Sequence, residues 1–332
     1  MSRRARLGLW IAAAALIVPA AHLALGRGVD WSALLAGTDA VSWRVLTELR
    51  LPRLVVALFA GTALGLAGLA LQSVLRNPLA APELTAVNPS AVLGYLIASG
   101  TGLIDGGSVF SSVLSATVGG LLGGGLLWLV AHRRTSEQTA VLGLLSALAL
   151  TGVVTILIAA RPTGVGGALR WLIGSVEARV AEHVPMIAIP VLAGFAALVL
   201  VADRLEILAV SDSHAHCLGV SPGFWRGVGI GIAVLLASAA VATVGPLAFV
   251  GFVAPHVVRL VFGGRLRRQV VLVAVCGGLF VAASDLIAKA VSLAIQLTGD
   301  GQQVGVPVGA VTCLIGAAAL VAVASSHQES EP

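Results

Sequence analysis

The chain is short of charge, of lysine and of cysteine, and each shortage removes a class of protein. Only 11% of its 332 residues are charged, against roughly 25% in soluble domains. With 58% hydrophobic residues and a mean hydropathy of +1.01, a soluble globule is excluded. There is one lysine, Lys289, in the sequence DLIAK. A nucleotide-binding loop of the form GxxxxGK[ST] is therefore absent, because its lysine must reach the terminal phosphates. The HExxH pattern of zinc peptidases is missing too, and the His-x-His pair His214 and His216 is too little by itself to make a metal site. Cys217, Cys276 and Cys313 stand too far apart for a disulfide framework or a thiolate cluster and read as small buried apolar residues. Aromatic residues make up 5% against forty glycines, which argues for closely packed helices rather than a lipid-facing barrel with aromatic girdles.

What is present is a series of apolar runs. They fall at roughly 7–25, 54–75, 89–103, 110–131, 139–160, 183–202, 227–244, 247–262, 270–290 and 308–325. A helix needs about 20 residues to cross a bilayer, so the chain reads as an all-α polytopic membrane protein with about ten spans, two of them short, forming one domain over 1–332. Arg3, Arg4 and Arg6 precede the first run, which is longer than the ~7–15 residues of a secretory signal. It is expected to stay as an uncleaved span with both termini cytoplasmic. Threading alternately from there puts twelve cations inside and eight outside. That spread over span ends fits topology better than nucleic-acid binding, and the outer eight, with Arg50 and Arg53 among them, suit an acidic partner.

The stretch from Arg50 to Leu84 is the most informative. It opens with RLPR, continues through Gly61, Gly65 and Gly68, and leaves the membrane through Gln72, Ser73 and RNPLAAPEL. Small residues four apart let helix backbones approach closely in lipid, and two prolines stiffen the exit. A second departure from apolar sequence runs from Ala202 to Arg226. There Leu205, Leu208, Ala215 and Leu218 keep near-helical spacing, Gly219 suits a helix C-cap, and Ser221-Pro222 suits the next N-terminus. This predicts a helical elbow over 203–226 that a soluble partner can grip. Asp285 and Lys289 stand four apart on one span, a spacing at which they could simply neutralise each other.

These motifs, together with VGPLAFVGFVAPHVVRL over 244–260 and VPVGAVTCLIG over 306–316, resemble the FecCD or BtuC-type permease family of iron-siderophore, haem and vitamin B12 ABC importers. The resemblance covers the chain from residue 50 nearly to 320. It implies the type II ABC importer permease fold, with spans 2–5 and 7–10 as inverted repeats. Residue by residue, it implies that Arg50, Arg53 and Lys289 dock a binding protein and that Asn77 and Leu79 form an inner gate, with Thr135 and Ser136 in the next inner turn. Asp212, Ala215, Leu218 and Gly219 would belong to the coupling helices that sit in an ATPase cleft. Thr151, Thr155 and Thr312 are expected to line a path walled by small residues. Ser211-Asp212 replaces the Gly-Glu frequent in the family, and His216 stands where a basic residue is usual.

The implied function is that of a permease subunit in the cytoplasmic (inner) membrane of a bacterium. The chain itself binds no cofactor and catalyses nothing, and ATP is used by a partner. The expected partners are two ATPase subunits, a second permease, identical or a sister chain, a periplasmic or lipid-anchored binding protein and the bilayer, with no nucleic acid. Ferric siderophores are the favoured cargo, and haem and cobalamin are alternatives. From another class, an ion-coupled secondary transporter would use Asp285 as its buried ionisable group.

Overall fold

The computed structural model describes residues 3–26, 28–37, 39–104, 108–131, 136–160, 173–298 and 305–328. Among these residues there are helices and turns but no strand, and a helix occupies each of the ten apolar runs. α1 (Arg3–Ala24) is followed by α2 (Trp31–Leu35), α3 (Ala40–Arg44) and a π-helical turn (Val45–Arg50) that leads without a break into α4 (Leu51–Leu75). A 3-10 turn (Pro82–Leu84) precedes α5 (Val87–Gly100), α6 (Val109–Ala131) and α7 (Ser136–Ala159). α8 (His183–Val210), α9 (Asp212–Cys217), α10 (Pro222–Val244), α11 (Val250–Val261), α12 (Leu266–Thr298) and α13 (Val308–Gln328) follow.

Helix ends depart from the apolar runs for a simple reason. The second span is helical from Ala40, because Thr47, Glu48, Arg50 and Arg53 interrupt hydropathy without interrupting hydrogen bonding. α2 and α3 are started by Asp30 and Asp39, whose carboxylates accept from backbone N–H groups of their first turns. Hydrogen bonds from the Ser32 and Ser42 side chains, with those backbone donors, hold both carboxyls below the usual range.

α4 is the axis of the fold. Nineteen of its 25 residues are buried, and α8, α10, α11 and α12 all pack on it. Its small residues permit this. A Cβ added at Gly61 would strike the backbone of Gly277 and Gly278 in α12, and one at Gly68 would strike the backbone of Gly251 in α11. Gly65 lies against Val273 and Ala254. Such approaches replace the hydrophobic drive that lipid does not supply between spans.

Two helices are too short to cross ~30 Å alone: α5 with 14 residues and α11 with 12. They hold the third and eighth places among the ten spans, the same place in each half expected to repeat. Each is completed by an irregular connection, 76–86 and 245–249, which is tolerable at depth only when buried in protein. The helix end that enters the second is tied down: Ser175 N–H donates to Val244 O at 2.8 Å.

Gly68→Ala is expected to lower the unfolding transition in detergent by roughly 1–3 kcal/mol, because backbone cannot move aside. Gly231→Ala, where an added Cβ meets nothing within 4 Å, should be neutral or stabilising by up to about 1 kcal/mol through helix propensity. Thermal unfolding of the two variants side by side checks this.

Candidate functional site

Residues singled out in the sequence gather at the two ends of α4, Arg53 and Arg76 being about 35 Å apart along the helix. At the first end, the π-helical turn delivers Arg50 inward. Arg50 is buried, and its Nη1 donates to Leu23 O at 2.5 Å and Ala24 O at 3.3 Å, the carbonyls that end α1. One turn on, Arg53 grips Asp285 of α12 with both edges of a fork: Nε to Oδ2 at 2.8 Å and Nη2 to Oδ1 at 2.7 Å. His22 of α1 completes the carboxylate, its Nε2 lying 2.7 Å from Oδ2, while Lys289 Nζ is 3.2 Å from His22 Nδ1. An ammonium can only donate, so Nδ1 accepts and the proton of the neutral ring sits on Nε2, which donates to Asp285. Three helices are thereby knotted through one carboxylate that is 1% exposed.

This arrangement alters the expected pairing. Asp285 and Lys289 are not each other's partner; Arg53 holds the acid and His22 stands between it and the lysine. Arg50, Arg53 and Lys289 all line one open cavity of about 440 Å³, together with Glu177 and Arg179. The structure therefore brings the three proposed docking cations together, and it aims them into the protein rather than out from it. The sequence reading missed His22; its signal was a lone imidazole inside an apolar span.

At the second end the elbow forms as the sequence suggests. Ser211 Oγ caps α9 by accepting from His214 N–H at 3.0 Å. Ala215 is fully buried, Gly219 has φ 72°, and Leu218 is exposed. Asp212 accepts from Arg226 Nη2 at 3.0 and 3.2 Å and lies 3.3 Å from Arg76 Nη1. Arg76 ends α4 in the left-handed conformation, φ 50° and ψ 33°. Asn77 Oδ1 then accepts from Leu79 N–H at 2.9 Å, and Asn77 O from Ala80 N–H at 3.0 Å, so that a tight turn presents Leu79 half-exposed. Gln72, inside this turn, bridges Gly251 O and Arg259 Nη2. The nearby Glu83 carboxyl is sealed from solvent and faces the Phe249 and Gly251 N–H groups at the N-terminus of α11, without a hydrogen bond of good geometry.

The remaining predicted positions divide. Thr151 and Thr155 lie on the exposed side of α7, their hydroxyls bonded back to Ala147 O and Thr151 O. Thr312 of α13 is fully buried and donates to Gly309 O, so it does not share a face with them. Ser136 opens α7, and Thr135 lies outside the described residues. Gly219-Val220-Ser221-Pro222-Gly223 spells GxSxG, but it joins two helices and not a strand to a helix, so it is no nucleophile elbow. Among the described residues no group of three His, Cys, Asp or Glu could hold a metal ion.

Comparison with known proteins covers this whole architecture. The family model described as "FecCD transport family" matches residues 9–326. The Fe(3+) dicitrate transport system permease protein FecD of Escherichia coli (strain K12) is 37% identical over 295 residues, 87% of this chain and 88% of that protein. The ferric enterobactin transport system permease protein FepG of the same organism is 33% identical over 88% of this chain and 85% of its own length. The cobalamin import system permease protein BtuC of Halobacterium salinarum is 30% identical over 87% and 78%. Among solved structures, a metal-chelate type ABC transporter in an inward-facing conformation superposes with a TM-score of 0.83 at 23% identity, covering 97% of this chain and 99% of that one.

Removing one partner from the buried knot strands the others. Asp285→Ala should destabilise the solubilised protein by about 3–5 kcal/mol. Arg44→Ala, which breaks the exposed Arg44–Glu48 pair, should cost about 0.5 kcal/mol or less. Denaturation of both variants in one detergent measures the contrast.

Proposed function

The chain belongs to the FecCD transport family and is a membrane-embedded permease of an ABC importer, not an enzyme, and on that premise we propose that it passes a ferric chelate inward between a binding protein and ATPase subunits. The observation that carries the reading is the family match from residue 9 to 326, together with relatives named for ferric dicitrate and ferric enterobactin. Haem and cobalamin remain the alternative cargoes, the latter supported by the cobalamin permease among the relatives.

In this reading the elbow faces the cytoplasm and the Arg50, Arg53 and Lys289 cavity faces outward, with both termini inside a bacterial cytoplasmic membrane. The cationic cavity suits acidic side chains of a docking protein, whose approach it would steer. Leu218 and its neighbours on α9 suit a cleft in an ATPase. Two ATPase subunits and a second permease, identical or sister, complete the assembly, and ATP is bound only by the ATPases. Asn77 and Leu79 form the inner closure, joined by Thr135 and Ser136. Thr151 and Thr155 face the path between the two permeases, and Thr312 supports its wall.

Secondary transport is the reading from another class, and it would require an ionisable group free to load and release an ion at mid-membrane. The geometry of Asp285 disfavours it: both oxygens are engaged by Arg53, and one by His22 as well.

Proteoliposomes test the proposal. With its ATPase and binding protein, the chain should accumulate radiolabelled ferric citrate or a ferric siderophore only when ATP is supplied to the ATPase side. Accumulation by the chain alone, driven by an ion gradient, would refute it.

A further inference from the structure

Among the described residues three that are not glycine have a positive φ, Arg76, Ala178 and Phe249, and the first of them bears on the closure itself. Arg76 caps α4 in the left-handed conformation, a place that helices give to glycine or asparagine because a Cβ is strained there. A strained residue persists where its surroundings hold it, and such sites cluster at working parts of a protein. The Arg76 side chain reaches the elbow: its Nη1 lies 3.3 Å from Asp212 Oδ1 on the elbow helix α9. The same carboxylate accepts twice from Arg226 in the first turn of α10. One acid thus ties together the elbow, the span that follows it and the end of the axial helix.

On the other side of Arg76 the chain has no slack. Asn77 is the next residue, its side chain and carbonyl close the 77–80 turn, and Leu79 is the exposed tip. The Asp212 and Arg76 side chains are 44% and 31% exposed, so water screens the pair and makes it weak. A weak contact can be broken and remade within a cycle, whereas the sealed Arg53–Asp285 pair cannot.

We propose that Arg76 is a positioning residue that couples the elbow to the inner closure, the Asp212–Arg76 pair being the contact through which displacement of α9 shifts the Leu79 turn. The inference rests on the importer reading above and adds to it a specific route of transmission.

The test uses the full importer in proteoliposomes and reads cargo moved per ATP hydrolysed. Arg76→Gly removes the side chain while accepting the positive φ, so folding and binding-protein-stimulated hydrolysis should be kept. The ratio should fall about fivefold, within the range by which coupling residues act. Arg76→Lys, which keeps a cation, should restore most of the ratio. Asp212→Asn should lower the ratio as well, and the double variant Arg76→Gly/Asp212→Asn should be no worse than the poorer single one, the mark of two residues acting through one contact. An unchanged ratio in Arg76→Gly overturns the proposal, whether or not the overall rate falls, and so do additive losses in the double variant. Failure of the importer reading is distinguishable, because it would appear in the unmutated chain as import that ignores ATP.

Discussion

Close backbone contact along α4 is the constraint on which the rest of the structure depends. In lipid, two apolar helices gain little from touching unless their backbones approach and many atoms meet at once. Gly61, Gly65 and Gly68 provide that approach, toward α12 on one side and α11 on the other. The consequence is a helix walled in by protein along most of its length. Because interiors packed this closely leave little room to yield, α4 keeps its shape between its two ends.

The two ends then acquire different characters from the chemistry that terminates the helix. At the Arg53 end a buried carboxylate gathers the charges: Asp285 takes a bidentate pair from Arg53 and a bridging imidazole, with Lys289 beyond it, and Arg53 and Lys289 line a cavity. Breaking such a pair without a replacement is costly, so this end holds its shape. At the Arg76 end the pairs are half-exposed, the backbone is strained, and the next four residues form a tight turn. This end can change state. On the proposed function, that asymmetry would give the importer a stable receiving face and a labile closure operated from outside the permease.

The sequence carried much of this and concealed the rest for identifiable reasons. The ten helices were legible because apolar runs of the right length have few alternatives, and the elbow because Ser211, Gly219, Ser221 and Pro222 are recognisable end signals. The extension of the second span back to Ala40 was hidden by four polar residues that a helix tolerates. The His22–Asp285 contact joins residues 263 apart, and no local pattern announces it; only the oddity of a titratable group in an apolar run did. Arg76 gave no warning, because the carboxylate it meets lies 136 positions later. Thr312 was read as facing a path because threonine there suits one, yet its hydroxyl is satisfied within its own turn and fully buried.

The central claim is that the change of state is confined to the Arg76 end of α4 and the turn that follows it, while the Arg53 end stays fixed. Pulsed EPR on the assembled importer tests it most directly, with spin labels at the exposed positions Leu51 and Leu79 in nucleotide-free and nucleotide-trapped states. The account predicts that the Leu51–Leu51 separation between the two permeases stays the same while the Leu79–Leu79 separation changes. A shift in the first distance with no change in the second would contradict it.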